Sequence, residues 1–337
     1  MSLKSQSELM LPHIEIELQN AIRFGERSDY AGLYQMLTYH MGWTGEGAGA
    51  EARGKRIRPL LVTLSAAACG GTWQLALPAA AAVELVHNFS LIHDDIEDSS
   101  ALRRGRETVW KLWGIAQAIN TGDSLFMLAH LAVLRLSEIV DTNTVLRAAR
   151  LLQETCLLLT QGQYLDMAYE HQQSLSLEAY MLMISGKTAE LIATCTKLGA
   201  IVAQANDEKV RRYYDFGLNL GLAFQVQDDL LGIWGEPALM GKSAESDLIT
   251  GKKSLPILYG LQNNQEFARR WLSGSIEPSE VPELAALLES EGAKAYTQDT
   301  ADRLTQQALF SLESACPEGD AGQALFDLAH LLLHRSR

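Results

Sequence analysis

An all-α fold follows from three properties of the chain. Long amphipathic blocks with apolar residues three and four apart recur from end to end. No sustained period-two alternation and no Asn-Gly hairpin signal interrupts them. With 47% hydrophobic residues over 337 positions, the chain can also bury a large core. Length alone would allow two domains, but the uniform pattern predicts a single one, residues 1–337.

Met1 to Ser7 is polar and expected to fray. Glu8 to Phe24 reads as a first amphipathic helix and Asp29 to Tyr39 as a second. Gly42 to Arg53 is a glycine-rich loop that ends in Gly54-Lys-Arg-Ile-Arg-Pro59. Pro59 suits a first helical turn, where its missing N–H costs nothing, so Lys55 and Arg58 fall at or near a helix N-terminus. Free N–H groups and the helix dipole favour an anion there; a basic loop in solvent is the bland alternative. The loop lacks Gly-x-x-x-x-Gly-Lys-Ser/Thr, which excludes a P-loop. Residues 60–83 carry no charge and imitate a membrane span. Cys69-Gly-Gly-Thr72 and Pro78 cut that run into pieces too short for a bilayer, so core helices and no transmembrane segment are expected.

Pro78 opens a long helix that runs through His87 to Ser99. Helical residues three, four or seven apart share a face, so His87, Leu91, Asp94 and Asp98 line up. Asp94 and Asp98 can then hold one cation between them. Hard divalent ions such as Mg2+ take carboxylate oxygens, keep several waters and complete their shell with phosphates. Arg103, Arg104 and Arg106 follow and suit those phosphates. A solvated acidic face with a basic turn after it is the competing reading.

In the block Lys111 to Val140, Asp123 is expected to be a polar core partner. Asn143 to Tyr169 forms another helix, with Gln161, Gln163 and Asp166 near its end. Ser174 to Ala203 is helical but interrupted at Ser185-Gly-Lys-Thr188, where glycine and hydroxyl residues kink a helix. Lys187 in that apolar setting wants a partner, for which a bound anion is a natural choice and a snorkelling lysine the alternative. Asp207 to Trp234 carries Phe224-Gln-Val-Gln-Asp-Asp-Leu-Leu-Gly232. The long loop Gly235 to Lys253, with Lys242, Lys252 and Lys253, has the length of a functional lid. Ser254 to Arg337 reads as packing helices without chemistry.

No charged start followed by an apolar signal core is present, so a cytoplasmic protein is expected. Cys69, Cys156, Cys195 and Cys316 are scattered, which gives neither zinc spacing nor a disulfide framework, and they read as small core residues. The net charge of −13 disfavours nucleic acid. An acidic protein that handles an anion must gather its few cations, or a metal, where that anion sits.

Gly54-Lys-Arg-Ile-Arg-Pro59, Asp94-Asp-Ile-Glu-Asp98, Leu102-Arg-Arg-Gly105, Gly186-Lys-Thr188, Gln227-Asp-Asp229 and Gly251-Lys-Lys-Ser254 occur in one order and spacing. In this the chain resembles the trans-isoprenyl diphosphate synthases, which include the farnesyl and geranylgeranyl diphosphate synthases. The resemblance implies an all-α bundle of about a dozen helices around a deep central cavity, of the isoprenoid synthase type, assembled as a homodimer. It makes Asp94, Asp98 and Asp228 the ligands of Mg2+, about three ions per site, with Asp95 and Asp229 in support. It assigns Lys55, Arg58, His87 and Arg104 to isopentenyl diphosphate. Arg103, Lys187 and Lys242 go to the allylic diphosphate (dimethylallyl, geranyl or farnesyl), and Thr188, Gln225 and Lys252 complete its lining. A core histidine is the alternative for His87.

Two positions depart from the pattern. Gly232 stands where the second motif commonly ends in Asp, leaving Asp228, water and substrate oxygens, with Glu236 through water, to hold the ions. An aspartate there, Gly232→Asp, is expected to be mild. Arg53 replaces the first glycine of the usual Gly-Gly-Lys and either meets phosphate or faces solvent.

The implied reaction is a head-to-tail condensation in which the allylic diphosphate leaves, isopentenyl diphosphate attacks the cation, and a proton is lost. Such chemistry rests on leaving-group stabilisation and exclusion of water, and the chain shows no Ser-His-Asp or Cys-His arrangement that would suggest a nucleophile. A class I terpene cyclase would not need the second diphosphate site of Lys55, Arg58 and Arg104. A non-catalytic helical subunit has only Gly232 in its favour. Phe89 lies roughly 7.5 Å and Val86 about 12 Å along the helix from Asp94, with small Ser90 between them and the motif. In the family an aromatic at the Phe89 position, without an insertion in the first motif, accompanies C20 products, so geranylgeranyl diphosphate is expected, with farnesyl diphosphate as the alternative.

Overall fold

A computed structural model describes residues 2–24, 26–170, 172, 175–235 and 247–333. The elements are α1 (Leu3–Ile22), α2 (Ala31–His40), α3 (Ala50–Arg53), α4 (Ile57–Ala68), α5 (Leu77–Glu97), the strands β1 (Leu102–Arg103) and β2 (Arg106–Glu107), α6 (Val109–Trp113), α7 (Ile115–Leu134), α8 (Thr142–Glu170) and α9 (Leu177–Ile184). There follow α10 (Glu190–Val202), α11 (Asp207–Trp234), α12 (Asp247–Thr250), α13 (Leu255–Asn263), α14 (Glu266–Trp271), α15 (Val281–Ser290), α16 (Ala293–Ser314) and α17 (Gly319–Leu333). Among the described residues nearly everything ordered is helix, as the spacing of apolar residues requires.

The residues gather into two compact units. The first comprises Met1–Cys156, Thr194–Tyr213 and Ala315–Asp327; the second comprises Leu157–Ala193, Tyr214–Ser314 and Leu328–Arg337.

Helix α5 is the core of the first unit. Ala79 to Ala82 are fully buried, and such small side chains let neighbouring helices approach closely, so α5 packs most extensively against α7 and also against α4. Within Trp73–Glu97 the structure has a helical stretch apolar and long enough to cross a bilayer, but 72% of its most apolar window is buried inside the protein, which is the signature of a core helix. Pro78 sits in the first turn of α5 and Pro59 in that of α4, as expected.

Helix α1 begins earlier than its apolar spacing indicates. Ser2 caps it by accepting from the Ser5 N–H, and Gln6 and Met10 are already buried, so burial holds the first turn where fraying was expected. Asp123 departs from expectation as well. A Cβ on Gly122 would lie 2.3 Å from His93 Nε2, so the glycine faces α5 and the next residue turns outward. Asp123 is exposed, 3.6 Å from His93. Cys156 and Cys195 are buried as expected, whereas Cys316 is exposed.

The arginine-rich turn is a hairpin, which the search for Asn-Gly could not find. Leu102 pairs with Glu107 and Arg103 with Arg106. Between them Arg104 (φ 53°) and Gly105 (φ 74°) are both left-handed, the geometry that two-residue hairpin loops adopt.

In the second unit the kink expected at Ser185–Thr188 is a single π turn, Ser185–Ala189, between α9 and α10. It lies against α8 at two glycines. A Cβ on Gly162 would be 2.1 Å from the Lys187 backbone nitrogen, and one on Gly186 would be 2.7 Å from the Leu158 carbonyl. A cluster of Ile233, Leu248, Ile257, Phe267, Leu284 and Leu288 forms a core for the C-terminal helices.

Candidate active site

In the first unit the basic stretch before α4 divides its work by direction. Arg56 adopts a left-handed conformation (φ 49°) that turns its side chain inward. Its guanidinium donates to Glu84 at 2.8 Å, to Glu15 at 3.2 Å and to the Met41 carbonyl at 3.1 Å. Both Arg56 and Glu84 side chains are about 5% exposed or less, so this cation is a structural one. Lys55, the preceding residue, is exposed. The Arg53 side chain is partly exposed, as one of its two expected courses has it, with Nε 4.0 Å from Glu15.

Arg58 approaches α5, and its Nη1 donates to His87 Nε2 at 3.2 Å. Burial and the Arg58 charge hold His87 well below the ordinary imidazole range, so it is a neutral acceptor towards the guanidinium. The Arg58 Nε is buried without a hydrogen-bond partner. A buried cationic donor left unsatisfied is costly, and an anion would satisfy it. Arg104 donates to the Ala52 carbonyl at 2.9 Å and lies over Gly54, where a Cβ would be 2.6 Å from its guanidinium carbon. Gly54, at φ 73°, is needed both for its backbone conformation and for that approach. Arg58, His87 and Arg104, three of the four residues assigned to isopentenyl diphosphate, thus occupy one neighbourhood.

The first aspartate motif ends α5. Asp94 is half-buried, and Asp98 is the exposed C-cap whose N–H donates to the Asp94 carbonyl at 2.8 Å. Asp95 is 2% exposed and binds Arg103 Nε and Nη2, each at 2.8 Å. Arg106, counted with its neighbours as a phosphate cation, has other partners. It covers the Tyr39 ring and donates to the carbonyls of Tyr39, Thr44 and Glu46, fixing the glycine-rich loop. Phe89 is 7% exposed and meets Phe126 of α7 at a centroid distance of 4.8 Å. Val86 is fully buried, and Ser90 donates to the His87 carbonyl at 2.8 Å.

In the second unit Asp228 is half-buried on α11, and its neighbour Asp229 is 1% exposed. Asp229 accepts from the Tyr180 hydroxyl, from Gln225 Nε2 at 3.1 Å and from the Leu255 N–H at 2.8 Å. Thr188 donates to Gln225 Oε1 at 3.0 Å. This chain of bonds joins five residues in one network, of which Tyr180 and the first amide of α13 went unrecognised in the sequence. The start of α13 therefore supports Asp229 through one backbone amide. The buried carboxylate raises the Tyr180 hydroxyl well above its ordinary value, after burial itself. Lys187 pairs with Asp166 of α8. At Lys252 the loss of hydration around the ammonium opposes its charge, yet Asp229, Asp247, Asp166 and Asp228 together hold it above the ordinary value. Lys242 and Glu236 lie outside the described residues.

Among the described residues no group of three or more His, Cys, Asp or Glu side chains is arranged to hold a metal alone. The candidate ligands Asp94, Asp98 and Asp228 offer only hard carboxylate oxygens, which suits Mg2+ completed by water and substrate phosphate.

An α-helical scaffold that presents one aspartate pair on α5 with guanidinium groups near it, and another on α11 with an ammonium near it, is the outline of an enzyme acting on diphosphates. The profile of the polyprenyl synthetase family matches residues 48–289, and the chain belongs to that family, whose members are prenyltransferases. It is 40% identical over 311 residues to a geranylgeranyl diphosphate synthase of Mycobacterium tuberculosis, covering 90% of this chain and 87% of that protein. It is 38% identical to a (2E,6E)-farnesyl diphosphate synthase of Mycobacterium bovis, covering 89% and 85%. Among solved structures it superposes on a geranylgeranyl pyrophosphate synthetase from Pyrococcus horikoshii with a TM-score of 0.88 and 31% identity over 98% of both chains. With a polyprenyl synthetase from Streptomyces coelicolor the score is 0.85 at 34% identity, over 97% of this chain and 99% of that one.

Proposed function

We propose that the protein condenses isopentenyl diphosphate with an allylic diphosphate, head to tail, to make geranylgeranyl diphosphate in the cytoplasm. Phe89 carries the chain-length part of this reading: it is a buried aromatic one and a half turns before Asp94, backed by Phe126, and so suits the floor of a channel for a growing prenyl chain. The name of the 40% identical relative supports the same product.

Asp94, Asp98 and Asp228 would hold magnesium. When bound, magnesium neutralises the allylic diphosphate as a leaving group. Lys55, Arg58, neutral His87 and Arg104 bind and orient isopentenyl diphosphate; the unsatisfied Arg58 Nε supports this assignment. Arg103, Lys187 and Lys242 hold the allylic diphosphate, with Thr188, Gln225 and Lys252 as polar lining. Tyr180 and the Leu255 N–H fix Asp229 beside Asp228. The apolar side chains around Phe89 keep water from the allylic cation, and the released diphosphate accepts the proton.

The chain acts as a homodimer. Ile115, Ile119, Met127, Leu131 and Leu134 make an exposed apolar stripe along α7, the kind of surface that marks an interface.

Labelled isopentenyl diphosphate, Mg2+ and dimethylallyl, geranyl or farnesyl diphosphate, followed by chromatography of the dephosphorylated products, tests the reading. C20 chains are expected. A C15 end product would favour the farnesyl reading, which the 38% identical relative supports, and no elongation from any primer would overturn the enzymatic assignment.

A further inference from the structure

Arg106 of β2 directs its guanidinium at backbone oxygens. Nη1 donates to the Tyr39 carbonyl at 2.8 Å, Nη2 to the Thr44 carbonyl at 2.7 Å and Nε to the Glu46 carbonyl at 2.9 Å. Tyr39 lies in the last turn of α2, where free carbonyls and the helix dipole favour a cation; Thr44 and Glu46 lie in the glycine-rich loop that follows. The guanidinium carbon also stands 3.9 Å over the centre of the Tyr39 ring. That ring is itself pinned, because its hydroxyl donates back to the Glu107 carbonyl at 2.8 Å and its edge meets Trp113 at a centroid distance of 5.1 Å. A Cβ on Gly45 would lie 2.6 Å from the ring, so the loop is seated directly on this clasp. The far end of the loop is held by the same hairpin, through the bond of 2.9 Å from Arg104 to the Ala52 carbonyl.

We propose that Arg106 is a positioning residue for the isopentenyl diphosphate subsite, acting through the glycine-rich loop and not on the substrate. The inference rests on the assignment of Lys55, Arg58, His87 and Arg104 to that diphosphate. Gly42, Gly45, Gly47 and Gly49 leave the loop with much conformational freedom to lose, and the clasp of Arg106 on Tyr39 removes it before substrate arrives. The loop hands the chain to Gly54, which lies under the Arg104 guanidinium, and then to Lys55. Its position therefore sets Lys55 and Arg104 relative to one another. A freed loop would have to be ordered by the ligand, and that ordering cost comes out of the affinity. The cations assigned to the allylic diphosphate have other supports: Arg103 is held by Asp95 and Lys187 by Asp166. Loss of the clasp thus falls on one substrate and spares the other.

Calorimetric titration of the full chain with isopentenyl diphosphate, in the absence of an allylic partner, reads that subsite without turnover. The parent is expected to bind it saturably. Arg106→Lys keeps the charge but loses the planar fork that spans three carbonyls, so it should bind about fivefold more weakly or worse, and Arg106→Gln likewise. In the steady state the KM for isopentenyl diphosphate should rise by the same factor, while the KM for the allylic diphosphate stays within about twofold of the parent. If the Arg106 variants melt well below the parent, Tyr39→Phe decides, since it removes only the hydroxyl bond to Glu107 and should weaken binding about threefold. Parent affinity in the deciding variant would overturn the inference, and so would an equal rise in both KM values. Arg106→Lys binding like the parent while Arg106→Gln does not would put Arg106 on the phosphate itself and overturn its positioning role. A parent that does not bind isopentenyl diphosphate would overturn the assignment of the subsite, and the inference with it.

Discussion

Arg56 and Arg58 stand two positions apart, and the fold gives them different tasks. Arg56 neutralises Glu84 inside the first unit, so Arg56→Met leaves a buried carboxylate unpaired. Such losses cost about 3–5 kcal/mol, and urea unfolding of the variant should show a loss of that order. His40 is a second residue whose environment makes a measurable difference. Burial, then the charges of Arg103 and Arg104, lower its pKa to about 3. The folded chain therefore refuses a proton that the unfolded chain accepts below pH 6.5, so stability is full above that pH and declines as pH falls towards 3. One such group contributes about 1.4 kcal/mol per pH unit. Unfolding free energies measured from pH 7 to 5 should fall less steeply in His40→Asn than in the parent, and equal slopes would refute the neutral burial of His40. Asp94→Ala addresses the reaction itself. It should reduce turnover on the order of 10³-fold with an unchanged circular dichroism spectrum, because removing one of two neighbouring carboxylates relieves repulsion. Undiminished turnover would remove Asp94 from the metal site.

At the scale of elements, α5 does the most. Its alanine run lets α4 and α7 close on it, its middle carries His87 and Phe89, and its last turn carries the aspartate motif. Distances along one rigid helix thus tie the chain-length residue to the chemistry at 1.5 Å per residue. Phe89→Ala removes a ring packed on Phe126 and should let prenyl chains run further, so the dephosphorylated products are expected to lengthen by at least one isoprene unit. Products of parental length would show that Phe89 is not the floor. The β1–β2 hairpin and the π turn do comparable work on a smaller scale. The hairpin aims Arg103 at Asp95, and the π turn brings Lys187 to Asp166 over the glycine contact with α8.

For the molecule as a whole, the exposed apolar stripe on α7 bears on assembly. Sedimentation should give the parent twice the mass of one 37.1 kDa chain. Met127→Glu together with Leu131→Glu places charge on that stripe at exposed positions that leave the core intact, and the double variant is expected to sediment as a single chain. A persistent dimer in the variant would place the interface elsewhere.

The helical class, the order of the elements and the residues of both aspartate motifs were legible in the amino-acid sequence, because helix periodicity and motif spacing are local properties that any stretch carries with it. Even the kink at Ser185–Thr188 was readable, since glycine and hydroxyl residues act on the turn that contains them. What the tertiary structure alone decided were relations between distant residues. Tyr180 and Asp229 are 49 positions apart, and nothing in either neighbourhood announces their bond. The inward turn of Arg56 depends on Glu84, the hairpin at Arg104 and Gly105 lacks the Asn-Gly signature, and the Asp247 carboxylate lies against Gly232 from a different helix. In each case the physical cause is the same: burial and charge pairing act through space, and only the folded chain brings the two partners within their range.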